Sequence, residues 1–181
     1  MTEPSDDALA IRAGAGDREA FAELLKRHYD RIFRIGVRVL GDTEAAADLA
    51  QEVCVGLPGK LTSYRRKGRF TTWLYRVVVN AARDALRRAA TRRRLESDYT
   101  ALKAPDRPGH SPENSESVWL RQALGRLSVE LRTTLILVIE EGLGHAEAGK
   151  VLGVTAATVS WRMHKVRKCL RAYAVKEEVV P

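Results

Sequence analysis

Residues 142–173 read GLGHAEAGKVLGVTAATVSWRMHKVRKCLRAY and contain the strongest local pattern in the sequence. Two helical patterns meet in it at a break that contains Gly153, four residues after Gly149. Helices that cross closely need a small residue in the first helix and a glycine in the tight turn between them. The spacing therefore predicts a helix-turn-helix. The apolar residues expected to hold its two helices together are Ala148, Leu152, Val154 and Val159.

The second helix of this motif has two chemically different faces. Four apolar residues at helical spacing are predicted to face the core: Val159, Met163, Val166 and Leu170. The opposite face carries Ala157, Trp161, His164, Lys165 and Lys168. A large aromatic side chain among solvent-facing cations indicates a covering partner, such as thymine methyl groups or a neighbouring helix. A helical hairpin with a solvated basic face is the alternative, and the two glycines in register favour DNA binding.

The first half of the chain is also predicted to be helical. A long helix begins after the N-cap Asp17 and continues to about Leu40, where Gly41 ends it. Asp42 then caps a second helix. We expect that helix to stop near Pro58, because an internal proline loses a hydrogen bond and clashes with the preceding turn.

A third helix is predicted over about residues 71–88, with Leu74, Val78, Ala81 and Ala85 toward the core. Spacing alone places a stripe on one of its faces: Trp73, Arg76, Asn80, Arg83 and Arg87. Arginines can hold phosphates, while an exposed tryptophan, the nearby Tyr64 and an amide suit an unstacked base. The pattern favours equally an amphipathic helix whose tryptophan packs inward and whose arginines are only solvated.

Prolines, glycines and polar residues without an apolar period fill residues 95–117, which we interpret as a flexible linker. The chain is therefore predicted to be all-α, with two small helical domains, residues 1–94 and 118–175, joined by that linker. The helix-turn-helix lies in the second domain.

The charge of this 181-residue chain is strongly polarised along its length. The net charge is +8, yet residues 1–53 hold seven Lys/Arg against eleven Asp/Glu. Residues 65–94 hold eleven basic residues and only one acid, and residues 162–171 add five basic residues and no acid. Two basic segments behind an acidic front indicate two nucleic-acid contacts and a different partner for the N-terminal part.

Several classes of protein are not indicated. The first residues lack the pattern of a secretion signal and no run approaches about 18 apolar residues, so we expect a cytoplasmic protein. Cys54 and Cys169 lack metal-ligand spacing and are expected to be buried apolar fillers, with no metal and no disulfide. No phosphate loop, metal-binding pair or nucleophile with a base is recognisable, so neither an enzyme nor a cofactor is predicted.

Four segments in this order resemble the extracytoplasmic-function class of bacterial sigma factors. They are GDREAFAELLKRHYDRIFRIGVRVLGD (residues 16–42), DLAQEV (48–53), RFTTWLYRVVVNAARDALRR (69–88) and LSVELRTTLILVIEEGLGHAEAGKVLGVTAATVSWRMHKVRK (127–168). Each segment alone is a weak signal, but the order and separation of the four segments are specific to this class. A stand-alone helix-turn-helix regulator would share the C-terminal domain and would leave the first domain unexplained.

The resemblance implies a non-catalytic protein that binds core RNA polymerase and selects promoters, and that is a monomer when free. An anti-sigma factor is a common further partner in the class. The residues implied for polymerase binding are Asp48, Gln51 and Glu52. Those implied for the -10 promoter element are Tyr64, Arg65, Arg69, Trp73, Arg76, Asn80, Arg83 and Arg87. Those implied for the -35 element are Thr158, Ser160, Trp161, Arg162, His164, Lys165 and Lys168.

Two features depart from the usual pattern of the class. GLPG at residues 56–59 stands where bulky residues usually continue the second helix, and we expect it to reshape the rim of the polymerase contact. Trp161 stands where the class generally has a small residue, and we expect it to change base preference or to tilt the helix.

Overall fold

The computed structural model describes residues 3–64, 68–97 and 122–176, and the regular elements in these ranges are all helices. The predicted all-α class is confirmed. The chain divides into two compact units, residues 1–109 and 110–181. Within the described ranges, no helix is long and apolar enough to cross a membrane.

The described part of the first unit contains four helices: α1 (Asp6–Gly14), α2 (Arg18–Leu40), α3 (Thr43–Leu61) and α4 (Phe70–Ser97). Helix α1 is not among the elements predicted from the sequence. Its signal is the capping residue Ser5, whose Oγ accepts from the Ala8 amide at 3.3 Å, followed by Asp6 and Asp7 in the first turn.

The predicted boundaries of α2 are confirmed. The Asp17 carboxylate accepts from the Ala20 amide at 3.0 Å, and Gly41 ends the helix in the left-handed region, with φ of 75°. Asp42 caps α3 as expected, since its Oδ1 accepts from the Ala45 amide at 2.8 Å.

The predicted end of α3 near Pro58 is wrong, because the helix continues through the proline to Leu61. The missing N–H of Pro58 costs this helix one backbone hydrogen bond. Leu57 and Leu61, four residues apart, are both buried and hold the final turn against the core. Residues 56–59 are therefore part of the helix.

The α4 helix is longer than predicted and continues beyond Arg88 to Ser97. Residues 85–94 are mostly alanine, leucine and arginine, which are strong helix formers. Residues 95–97 of the predicted linker are thus helical, and its remainder, residues 98–117, lies outside the described residues.

The buried face of α4 also differs from the prediction. Leu74 and Val78 are buried as expected, whereas Ala81 and Ala85 are only half-buried. Phe70, Tyr75, Val79 and Ala82 of this helix are buried as well. The apolar run at residues 77–79 is compatible with either alignment of the helix, so the pattern could not distinguish them.

The second unit begins, among the described residues, with a helical turn at 122–125 and continues into three helices. These are α5 (Val129–Leu135), which passes into a π-helical turn (Ile136–Glu140), α6 (His145–Leu152) and α7 (Ala156–Lys176). Leu124, Leu127 and Val166 form a buried cluster, against which Leu131, Leu135 and Leu170 pack.

Helices α6 and α7 form the predicted helix-turn-helix, and Gly149 and Gly153 lie at its close crossing and its turn. Gly153 ends α6 with a φ of 71°, which is a left-handed conformation that favours glycine. A Cβ at Gly149 would lie 2.7 Å from the Val154 carbonyl oxygen. On α7, Val159, Met163 and Val166 are buried.

Gly149→Ala is expected to destabilise the second unit by about 1 to 3 kcal/mol, because the new methyl group meets backbone and not a flexible side chain. Urea unfolding of the full chain measures this loss. Gly125→Ala is the matched control, since nothing lies within 4 Å of a Cβ at that position. Equal stability of the two variants would contradict the close helix crossing.

The two cysteines differ in environment. Cys54 is half-buried, and burial raises the pKa of its thiol. Cys169 is exposed, so its prediction as a buried filler is wrong. The core face of α7 passes through Val166 and Leu170, and Cys169 lies beside that face.

Candidate nucleic-acid interface

One face of α4 presents the predicted stripe, and we call Tyr64, Arg69, Trp73, Arg76, Asn80, Arg83 and Arg87 the α4 surface. Arg69, Arg76, Asn80 and Arg87 are exposed, whereas Tyr64, Trp73 and Arg83 are half-buried. Arg87 lies within reach of Asp84, with 3.5 Å between Nη1 and Oδ1. Arg65 was also predicted to belong here and lies outside the described residues.

Trp73 belongs to a cluster of aromatic rings at the start of α4. Its ring centroid lies 5.5 Å from that of Tyr64 and 5.6 Å from that of Phe70. Phe70 also contacts Tyr64 at 5.8 Å and His28 at 5.3 Å. Trp73 is therefore neither fully exposed nor fully packed inward, because its ring packs against the cluster on one side and keeps part of its surface open.

A carboxylate from α1 holds the same end of α4. Oδ1 of Asp7 accepts a hydrogen bond from the Phe70 amide at 2.7 Å and one from the Tyr64 hydroxyl at 2.6 Å. Sequence reasoning missed Asp7, because it lies 57 and 63 residues from these partners. Local spacing carries no signal for such a contact.

The neighbouring Asp6 links α1 to α2. Its Oδ2 lies 2.9 Å from His28 Nε2, and its Oδ1 lies 3.1 Å from Arg27 Nη1. His28 is buried, and this burial lowers the pKa of its imidazole, although Asp6 opposes the shift.

Acidification below about pH 6.5 is expected to destabilise the first unit, because unfolded His28 titrates near 6.5 and folded His28 titrates lower. The contribution of His28 is complete above the unfolded pKa and is lost as the pH falls from there toward the folded pKa. Urea unfolding across this range should show a flatter pH dependence for His28→Gln. A His28 titration midpoint above 6.5 by NMR would contradict this expectation.

A second exposed surface lies on α7, and we call Thr158, Ser160, Trp161, Arg162, His164, Lys165 and Lys168 the α7 surface. Thr158 and Arg162 are half-buried, and the other five residues are exposed. Trp161 is 55% exposed, and Lys165 Nζ lies 4.4 Å from the centroid of its ring. Ser160 Oγ lies 2.7 Å from Nδ1 of His145, which ties the surface to the start of α6.

An acidic surface lies on α3. Asp48, Gln51 and Glu52 are exposed, and Val55 one turn further is 82% exposed. Glu52 Oε2 lies 2.7 Å from Arg88 Nη2 on α4. This ion pair connects the acidic surface of α3 to the basic helix that carries the α4 surface.

Comparison with known proteins identifies the family. Models of sigma-70 region 2 and of sigma-70 region 4 match residues 24–92 and 117–170. The ECF RNA polymerase sigma factor SigE of Mycolicibacterium smegmatis is 33% identical over 189 residues, which cover 96% of this chain and 71% of SigE. The chain belongs to the extracytoplasmic-function sigma factors. This sigma factor is thus an alternative initiation factor that directs promoter-specific transcription.

Other known proteins match this sigma factor over 84 to 99% of its length. The RNA polymerase sigma factor NccH of Alcaligenes xylosoxydans is 33% identical, with 99% of this chain and 100% of NccH covered. The solved structure of CnrH in complex with the cytosolic domain of CnrY matches with a TM-score of 0.68 at 27% identity, over 93% and 96% of the two chains. The sigma factor RpoE from Bartonella quintana, in complex with the anti-sigma factor NepR, shares the fold with a TM-score of 0.71 at 19% identity, over 84% of this chain and 95% of RpoE.

Proposed function

We propose that this sigma factor reads promoters through two surfaces, the α4 surface at the -10 element and the α7 surface at the -35 element. One observation carries the proposal. In each unit a tryptophan that keeps part of its ring open lies in a row of polar and basic side chains on a single helix.

The α4 surface has the chemistry that an unstacked base requires. Such a base needs an aromatic face to lie against and a group that pairs with its edge. Trp73 offers the ring, and the exposed amide of Asn80 lies two turns further, about 10 Å along the helix axis. The exposed guanidinium groups of Arg76 and Arg87 would hold the phosphates on either side of Asn80.

The α7 surface lies on the second helix of the helix-turn-helix, which is the element that enters the major groove. Ser160, Trp161 and His164 are exposed and would face base edges and thymine methyl groups. Lys165 packs over the Trp161 ring, so these two side chains act together. Lys168 would contact the phosphate backbone.

The acidic α3 surface is the proposed contact with core polymerase. Its carboxylates would meet basic side chains of the polymerase, with Val55 as an apolar contact beside them. We also propose that an anti-sigma factor binds this chain, as NepR binds RpoE in the solved complex. The free protein would be a cytoplasmic monomer without catalytic activity or cofactor.

Core polymerase supplemented with the purified sigma factor is expected to initiate at discrete sites on genomic DNA. The free chain is expected to bind duplex DNA weakly, with dissociation constants in the range of non-specific binding, about 10⁻⁶ to 10⁻⁴ M. Electrophoretic mobility shift at physiological salt tests this second expectation. Nanomolar, sequence-specific binding by the free chain, with no stimulation of core polymerase, would favour a stand-alone regulator.

A further inference from the structure

We propose that Asp7 is a positioning residue for promoter opening, because its carboxylate fixes the aromatic end of the α4 surface. Asp7 lies on α1, before the residues that match sigma-70 region 2. The proposal rests on the proposed role of the α4 surface at the -10 element.

Asp7 acts as the N-terminal cap of α4 from a distant part of the chain. Its Oδ1 accepts from the amide of Phe70, the first residue of α4, at 2.7 Å. Arg69, the residue just before the helix, has only donors in its side chain and cannot supply this acceptor. A carboxylate at a helix N-terminus is stabilised by the free amides and by the helix dipole.

The same oxygen also fixes Tyr64. The Tyr64 hydroxyl lies 2.6 Å from Asp7 Oδ1 and 3.0 Å from the Gly68 carbonyl oxygen. It has a single proton, and the carboxylate is the stronger acceptor. Asp7 therefore fixes the Tyr64 hydroxyl and the Phe70 backbone, and the rings of both residues lie within 6 Å of the Trp73 centroid.

The loss of this oxygen would affect the base-facing side of α4 more than its core face. The first amide of α4 would lose its acceptor, and the Tyr64 ring could move away from Trp73. Asp6 on the same turn of α1 makes different contacts, because it binds His28 and Arg27 of α2. Asp6→Ala therefore loosens α1 without removing the contacts of Asp7, and it is a matched control.

The experiment uses full-length variants with core polymerase and measures opening on promoters substituted at the -10 and at the -35 element. Asp7→Ala is expected to slow opening on the preferred -10 sequence about tenfold, the size expected for a lost capping acceptor. It should flatten discrimination among -10 sequences and leave discrimination among -35 sequences unchanged. The opening rate of the Asp7→Asn variant should stay within about twofold of the wild-type rate, because an amide oxygen can accept both hydrogen bonds.

A merely structural role would lower opening on all promoters by one factor, and Asp6→Ala would then give the same defect at equal loss of stability. That result, or an Asp7→Ala protein with wild-type discrimination, would overturn the proposal. Asn80→Ala separates this failure from failure of the proposed function. If Asn80→Ala flattens the -10 preference and Asp7→Ala does not, only the role of Asp7 is overturned. If Asn80→Ala also keeps the full -10 preference, both are overturned.

Discussion

Asn80→Ala is expected to remove most of the discrimination at one -10 position while the protein stays folded. Asn80 is exposed on α4, and substitutions at such surface positions usually change stability by no more than about 0.5 kcal/mol. A good base contact contributes roughly 1 to 3 kcal/mol of discrimination, or about a 5-fold to 150-fold preference. Transcription from a series of -10 substitutions, together with thermal melting, measures both quantities.

Arg87→Ala is the matched control for Asn80→Ala. Arg87 is exposed on the same helix face two turns further, and its proposed contact is with phosphate. Its loss should weaken all promoters by a similar factor and leave their rank order intact. An Asn80→Ala protein that transcribes the whole series in wild-type rank order would rule out Asn80 as a base reader.

Trp161→Ala is expected to change which -35 sequence is preferred. The ring is 55% exposed, so its removal leaves the core of the second unit intact. It also frees Lys165, whose ammonium group loses a cation–π contact of about 0.5 to 1 kcal/mol. Both changes act on the side of α7 that would face the major groove. Binding of holoenzyme to a set of -35 variants reports the change in rank order.

Lys168→Ala provides the contrast to Trp161→Ala. Its proposed phosphate contact predicts a uniform loss across -35 variants and a salt-dependence slope reduced by about one. If Trp161→Ala instead lowers binding to every variant equally and also lowers the melting temperature, Trp161 is a packing residue and does not read bases.

The parts of the fold that were predictable from sequence depend on local constraints. A glycine pair four residues apart predicted the helix-turn-helix, because a Cβ at Gly149 would collide with the backbone after the turn. Asp17 and Gly41 predicted the ends of α2, because capping geometry involves only the adjacent turn. The helical stripe on α4 follows from spacing in the same way.

The features that sequence reasoning missed depend on contacts between distant residues. Helix α1 is short and is held by Asp6 and Asp7, whose partners lie 21 to 63 residues away. The continuation of α3 through Pro58 depends on the burial of Leu57 and Leu61 against other helices. For the same reason the pattern could not determine how far the ring of Trp73 packs into the aromatic cluster.

We propose that two separate surfaces read two promoter elements, and transcription from a promoter library randomised at both elements tests each surface separately. Holoenzymes with wild-type protein, Asn80→Ala and Trp161→Ala are compared on the same library. We expect Asn80→Ala to lose preference only within the -10 element and Trp161→Ala to change preference only within the -35 element. Wild-type preferences at both elements in both variants, or effects at the opposite elements, would contradict the claim.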